Sequence, residues 1–355
     1  MDDSLFQPIK VGRHEAANRL FMAPMTRSRC YAEGRPDALV AEYYGQRASS
    51  GLIITEGIQP SVRGQGYINT PGLHDAGQVE AWKPVTDAVH ARGSLVFAQL
   101  MHTGRIGHPV LYPDGGLPVA PSPIASGQEL FDGSGMLPHP EPRELTVAEI
   151  QEVVDDFANA ARNAVEAGFD GVEVHGANGY LVHQFLADGS NHRTDEYGGD
   201  AERRSRFAIE VVDAIADTIG ADRTALRISP ENNYNGMSDG DPAAQYTALL
   251  EGLRHRSDLA FLHTTQIGGA ELTPLVRRLW EGTLVVNPAT GLDLTGVDAA
   301  LANGADAVAL GSAWLANPDL DERLRSGADL NAPDAATFYG GDRTGYTDYP
   351  HLAGA

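Results

Sequence analysis

Eight short apolar runs punctuate the chain, at residues 20–23, 52–55, 95–100, 171–174, 225–229, 260–263, 284–286 and 307–310. They are continuous rather than alternating, which is the pattern of strands buried on both faces. Most are followed by a stretch whose apolar positions recur at helical spacing. One such stretch opens on Thr146 and Glu149, a capping box. It then sets Ile150, Val153, Val154, Phe157, Ala161 and Val165 on one face before Gly168 stops it. A second helix runs over about 201–219 and ends at Gly220. Eight strands with helices between them predict an α/β fold, a closed (β/α)8 TIM barrel rather than an open doubly wound sheet. With 355 residues, no solenoid-length repeat and no low-complexity tract, residues 1–355 read as one barrel domain with insertions.

One segment breaks the rhythm. Residues from about 104 to 145 are rich in Pro, Gly and Ser and far longer than an ordinary connection. Because the segment follows the C-terminal end of the third strand, it is expected to form a lid over the barrel mouth. The other reading is an unstructured insertion.

Composition narrows the function classes. Hydrophobic residues make up 42 % and charged residues 21 %, enough apolar surface for a large core. No run of apolar residues reaches the length of a membrane span. The 48 acids against 26 Lys and Arg give a formal charge of −22, which argues against nucleic acid or an anionic membrane as partner. A single cysteine, Cys30, excludes an internal disulfide and fits a reducing compartment. The first twelve residues carry acids and no long apolar run, so they do not read as a secretory signal, and the expected location is cytoplasmic.

In a TIM barrel the active site lies at the C-terminal ends of the strands, so polar residues there are the candidates. The fourth strand leads into His175-Gly-Ala-Asn178-Gly-Tyr180. His and Asn can both donate to one carbonyl oxygen, forming an electrophilic clamp where negative charge develops. A phenol near the adjacent carbon is a general acid. Taken alone, the same residues also fit a helix-entry turn whose His and Tyr satisfy backbone groups.

The surrounding motifs favour the first reading. Ala-Pro-Met-Thr-Arg-Ser-Arg (23–29), Thr-Glu-Gly (55–57) and Gln-Leu-Met-His-Thr-Gly-Arg (99–105) resemble the old yellow enzyme family of flavin ene-reductases. So do His-Gly-Ala-Asn-Gly-Tyr-Leu-Val-His-Gln-Phe-Leu (175–186), Asn-His-Arg-Thr-Asp-Glu-Tyr-Gly-Gly (191–199) and Arg-Ile-Ser-Pro (227–230). Ala-Asn-Pro-Asp-Leu (316–320) and the run from Phe338 to Pro350 continue the match in the same order. The resemblance spans nearly the whole chain.

It implies an enzyme that takes electrons from NADPH or NADH through FMN and reduces the C=C bond of an unsaturated carbonyl or nitro compound in ping-pong fashion. Pro24, Met25 and Thr26 would flank the flavin, with Thr26 bonded to its C4 carbonyl, and Gly57 would hold the ring through backbone groups. Gln99 would read the pyrimidine edge as donor and acceptor. Arg227 would sit beside N1 and the C2 carbonyl, where a cation favours the reduced flavin. His175, itself against the flavin, would bind the substrate oxygen with Asn178. Hydride from flavin N5 would reach the β-carbon and Tyr180 would protonate the α-carbon. Tyr67 and Tyr339 match aromatic positions of the substrate pocket, though either also fits an ordinary structural tyrosine. Met101 stands where several relatives carry Trp, giving a pocket of different shape.

The resemblance weakens at the phosphate end of the cofactor. Relatives often carry a glycine-rich run after the seventh strand and Gly-Arg after the eighth. Here the positions read Asn287-Pro288-Ala289 and Gly311-Ser312, and Pro288 has no N–H to donate. Asn287, Ala289, Gly311 and Ser312 remain as candidate donors. FMN held by adjusted contacts, FMN held weakly, or a different flavin-like cofactor would each be consistent; the ring-binding residues favour the first. Cys30 reads as a buried thiol, and histidines 102, 183 and 192 lack metal-site spacing, so no metal is expected. Two other functions use the same residues: a specialised biosynthetic oxidase or isomerase acting on one metabolite, and an inactive barrel that only binds a ligand.

Overall fold

The structure is a computed structural model that describes residues 3–267, 269, 271–289 and 294–352. Eight parallel strands close into a barrel. They are β1 (Leu20–Met22), β2 (Leu52–Ile54), β3 (Leu95–Leu100), β4 (Gly171–Gly176), β5 (Thr224–Ile228), β6 (Phe261–Thr265), β7 (Leu284–Asn287) and β8 (Ala307–Leu310). Each coincides with one of the eight apolar runs. β4 and β6 run two residues beyond theirs, because His175 and Gly176 pair in register with Arg227 and Ile228, and Thr264 and Thr265 pair with Val286 and Asn287. The polar His175 and Thr265 are tolerated there because they take the inward parity of Glu173 and His263 at the top of the barrel rather than facing its apolar shell.

The helices follow the strands in turn: α1 (Ala38–Gln46), α2 (Ala76–His90), α3 (Val147–Glu166), α4 (Leu181–Leu186), α5 (Ala201–Ile219), α6 (Pro242–Gly252), α7 (Thr273–Leu279), α8 (Thr295–Ala302), α9 (Ser312–Ala316) and α10 (Leu320–Ser326). The capping box forms as the sequence requires, with Glu149 N–H donating to Thr146 Oγ1 at 3.2 Å and Thr146 N–H to Glu149 Oε2 at 2.8 Å. Val172, Val174, Leu226 and Ile228 face outward into the shell packed against the helices. Their alternates face inward. The lower interior is filled by Phe21, Leu52, Phe97, Phe261, Val285 and Ala307, with the Phe97 and Phe261 rings 5.4 Å apart. Val11 and Ala16, from a hairpin of Ile9–Val11 with His14–Ala16, join this cluster and plug the barrel floor.

Two peripheral segments shape the mouth. The long excursion after β3 carries structure of its own: Val119–Ala120 pairs with Arg143–Glu144, and Glu129–Phe131 forms an antiparallel hairpin with Met136–Pro138. Its base is tied down by Arg193, whose Nη1 donates to Pro121 O and Leu145 O at 3.1 and 2.6 Å. The C-terminal segment returns across the end of β1. Arg27 donates to Phe338 O and Gly345 O, both at 2.9 Å, and Tyr346 stacks on Tyr43 at 4.1 Å between the guanidinium groups of Arg29 and Arg47.

Candidate active site

The inward positions turn polar toward the C-terminal end of the barrel. Gln99 on β3, Glu173 and His175 on β4, Arg227 on β5, His263 on β6 and Asn287 on β7 form a buried ring. Glu173 is fully buried; its Oε1 accepts from Gln99 Nε2 at 2.8 Å and its Oε2 lies 2.8 Å from His263 Nδ1. The bond fixes the Gln99 amide nitrogen toward Glu173 and leaves Gln99 Oε1 for another partner. Arg227 Nη2 donates to Asn287 Oδ1 at 2.9 Å, and Asn287 Nδ2 donates to Ala309 O at 2.9 Å. Burial pulls the Arg227 guanidinium below its usual range, countered by Glu173. Burial and the Arg227 charge push His175 well below the usual histidine range, so its imidazole is neutral.

β4 then opens into a turn whose backbone is held from three sides. Asn178 adopts φ +55° and Gly179 φ +79°. A Cβ on Gly179 would lie 2.7 Å from Tyr234 O, which explains the glycine. Asn178 N–H donates to Ser229 Oγ at 2.8 Å, and its carbonyl accepts from Asn235 Nδ2 at 2.8 Å. Asn232 Nδ2 donates to Asn178 Oδ1 at 3.0 Å, which leaves the Asn178 amide nitrogen as the uncommitted donor. Tyr180 caps α4 and lies edge-on to His175, with ring centroids 4.9 Å apart. Its hydroxyl is 2.9 Å from that of Tyr67, and burial keeps both phenols above the ordinary tyrosine range.

Above these residues is a pocket of about 620 Å³. Thr26, Tyr67, Tyr180 and Tyr339 line it, joined by Phe131 and Met136 of the excursion's hairpin and by Tyr234 from the loop after β5. Met101, which does not line this pocket, packs with Tyr180, Ile106 and Tyr67 and lies against Gly57, where a Cβ would come within 2.5 Å of Met101 Cε. Pro24, Met25 and Thr26 are half-buried on the loop after β1. Glu56 steadies that loop: its Oε2 accepts from Arg27 N–H at 3.2 Å. Met25 reaches across to Gly311, its Sδ 3.4 Å from where a Cβ there would stand. Ala289 and Ser312 are exposed at the ends of β7 and β8.

The donor set suits a flavin ring. Three buried polar atoms of the ring of side chains have no partner: His175 Nδ1, Arg227 Nε and His263 Nε2. Native interiors rarely leave such atoms unpaired, so a cluster of them marks a missing polar ligand. A heterocycle with carbonyl acceptors and an N–H edge fits them and the Gln99 amide.

Several contributors were not singled out from the sequence. Glu173 and His263 lie inside apolar runs, and that is itself a signal, since an ionisable group within a strand buried on both faces needs a partner. Asn232, Tyr234 and Asn235 had no periodicity to mark them. His102 and His183 each accept a backbone N–H through Nδ1, from Gly104 at 3.1 Å and Gly179 at 3.0 Å, so both pin turns. Among the described residues no group of three His, Cys, Asp or Glu is placed to hold a metal ion. Cys30 is buried, which pushes its thiol well above the usual range. No helix among the described residues is long and apolar enough to cross a membrane.

Comparison with known proteins gives concordant matches. Residues 4–331 match the model of the NADH:flavin oxidoreductase / NADH oxidase family. The chain is 42 % identical to rice (Oryza sativa subsp. japonica) 12-oxophytodienoate reductase 1, covering 98 % of this chain and 93 % of the relative. It is also 42 % identical to a probable flavin mononucleotide-dependent alkene reductase of Leishmania infantum, covering 99 % and 98 %. Morphinone reductase in complex with tetrahydroNAD superposes with a TM-score of 0.94 at 43 % identity, covering 99 % of both chains.

Proposed function

This chain belongs to the NADH:flavin oxidoreductase / NADH oxidase family, the FMN-dependent old yellow enzyme group, and we propose from that premise that it reduces activated alkenes with NAD(P)H. The observation that carries the reading is the conjunction of a neutral His175, an uncommitted Asn178 amide and a protonated Tyr180 phenol on one strand-to-helix turn, with Tyr180 lining the pocket and its ring 4.9 Å from that of His175.

FMN, when bound, supplies hydride delivery between the nicotinamide and the alkene. Gln99, Gly57, Thr26 and Arg227 would hold its ring, with Gln99 oriented by its bond to Glu173. His175 and Asn178 donate to the carbonyl or nitro oxygen of the substrate, drawing electrons from the C=C bond and stabilising the charge that develops on that oxygen. As hydride arrives at the β-carbon, Tyr180 delivers its hydroxyl proton to the α-carbon. The raised affinity of the buried phenol for its proton keeps that acid loaded at neutral pH. Tyr67, hydrogen-bonded to Tyr180, is placed to orient the phenol. Nicotinamide and alkene use the same pocket in turn, which gives ping-pong kinetics. The exposed apolar rim of Phe131, Met136, Tyr234 and Tyr339 favours alkenes with a bulky apolar body. The single buried cysteine supports a reducing, cytoplasmic setting.

NADPH oxidation should depend on added cyclohexenone and yield the saturated ketone. Absence of turnover with any simple enone, in protein that carries flavin, would instead favour a specialised oxidase or isomerase. Protein that binds an enone but is never reduced by NAD(P)H would be the inactive barrel.

A further inference from the structure

The two ends of the candidate cofactor site are built differently. The ring end has a buried cation, a fixed amide and unpaired donors. The outer end, beyond β7 and β8, is where TIM barrels commonly hold a ligand phosphate. From residue 279 to residue 322, a stretch containing both strands and the loops that follow them, the sequence has no Lys, Arg or His and carries seven acids.

Arginines that approach from elsewhere are largely committed to other groups, with Arg27 Nη1 and Arg227 Nε the buried atoms left without a partner. Arg47 gives Nε to Trp314 O at 2.9 Å and Nη2 to Leu315 O at 2.6 Å. Arg27 and Arg29 serve carbonyls of the C-terminal segment. Arg227 is turned to Asn287, and that bond together with the one to Ala309 O commits the Asn287 side chain. Pro288 has no N–H. A phosphate dianion there would meet a few neutral donors, such as the exposed Ser312, in the field of a chain with a formal charge of −22. Charge-assisted, bidentate contacts are what make phosphate binding strong, and residues 279–322 contain no Lys, Arg or His to make one.

We propose that this protein holds its flavin by the isoalloxazine ring and not by the phosphate, so that riboflavin binds as well as FMN. The inference rests on the flavin reading above and specifies which part of the flavin the site recognises. A riboflavin-type ligand needs no counter-charge at the outer end, and the ring end is complete without it.

The full chain, freed of flavin by dialysis, would be titrated with FMN and with riboflavin, following the change in flavin fluorescence at low and at high salt. The two Kd values should agree within about tenfold, with little salt dependence for FMN. Ser312→Arg, at an exposed position, should tighten FMN by about tenfold and leave riboflavin unchanged. FMN binding more than about tenfold tighter than riboflavin in the unaltered protein, or a Ser312→Arg variant with no gain for FMN, would overturn the proposal. Failure of both flavins to bind would instead refute the flavin reading on which it rests.

Discussion

The hydroxyl of Tyr180 lies 2.9 Å from the hydroxyl of Tyr67, and the Tyr180 ring stands edge-on to His175 with centroids 4.9 Å apart. One phenol is thereby held beside the imidazole that would polarise the substrate and supported by a second phenol. Tyr180→Phe removes the acid and keeps the shape. It should lower alkene reduction by about 100-fold or more while leaving flavin reduction by NADPH near the unaltered rate. Tyr67→Phe should have a smaller effect on the same step, because it removes only the supporting bond. Equal loss of both half-reactions in Tyr180→Phe would contradict the proton-donor role.

Gly179 sets the neighbouring donor. With φ +79° and a Cβ position 2.7 Å from Tyr234 O, Gly179→Ala forces the turn to shift. The expected cost is about 1–3 kcal/mol of stability, with a raised KM for the alkene as Asn178 moves. Flavin content should be retained, since the proposed ring contacts come from β3, β5 and the loops after β1 and β2. Urea melts and enone kinetics on the variant check both parts.

The barrel was legible in the sequence because its strands are buried on both faces, and continuous apolar runs of that kind have few other uses in a chain with intervening helices. The helix ends at Thr146, Gly168 and Gly220 were legible for the same local reason, as capping and glycine stops act within one turn. The β4–α4 turn was legible only through its neighbouring motifs. Glu173, His263, Asn232 and Asn235 were not found, because their partners lie on other strands and loops: Glu173 meets Gln99 across the β3–β4 pairing, and Asn232 meets Asn178 from the loop after β5. Nor did the sequence foretell that the 104–145 excursion forms a hairpin whose Phe131 and Met136 wall the pocket, since its Pro and Gly content obscured the short strand pairing.

Glu173 is expected to be structural to the ring site. Glu173→Ala strands the Gln99 amide and the His263 imidazole in the barrel interior and should cost about 3 kcal/mol. Flavin should also be lost more readily on dialysis. Glu173→Gln, which retains an acceptor for Gln99, should recover a large part of both. Thermal or urea unfolding with cofactor extraction distinguishes the two variants, and equal behaviour would show that the carboxylate does not orient Gln99.

Glu56 predicts a pH dependence. Burial raises its carboxyl from 4.5 to about 7 in the folded protein, against the pull of its bond from Arg27 N–H. A group whose pKa is raised on folding favours the folded state while both states hold the proton. That contribution is complete below about pH 4.5 and is lost as pH rises to about 7. The shift corresponds to about 3 kcal/mol across that window. Glu56→Gln cannot ionise, so its stability relative to the unaltered protein should improve by about that amount between acid and neutral pH. Urea melts of both proteins over this range test it; a constant difference would mean that Glu56 titrates alike in the folded and unfolded chains.

The most direct test of ene-reduction is to follow the visible flavin band of the purified protein under anaerobic conditions in two separate mixings. NAD(P)H alone should bleach the band completely, and a subsequent addition of cyclohexenone should restore it with formation of the saturated ketone. A band that NAD(P)H does not bleach, or one that is bleached and then restored only by oxygen and by no activated alkene, would contradict the assignment.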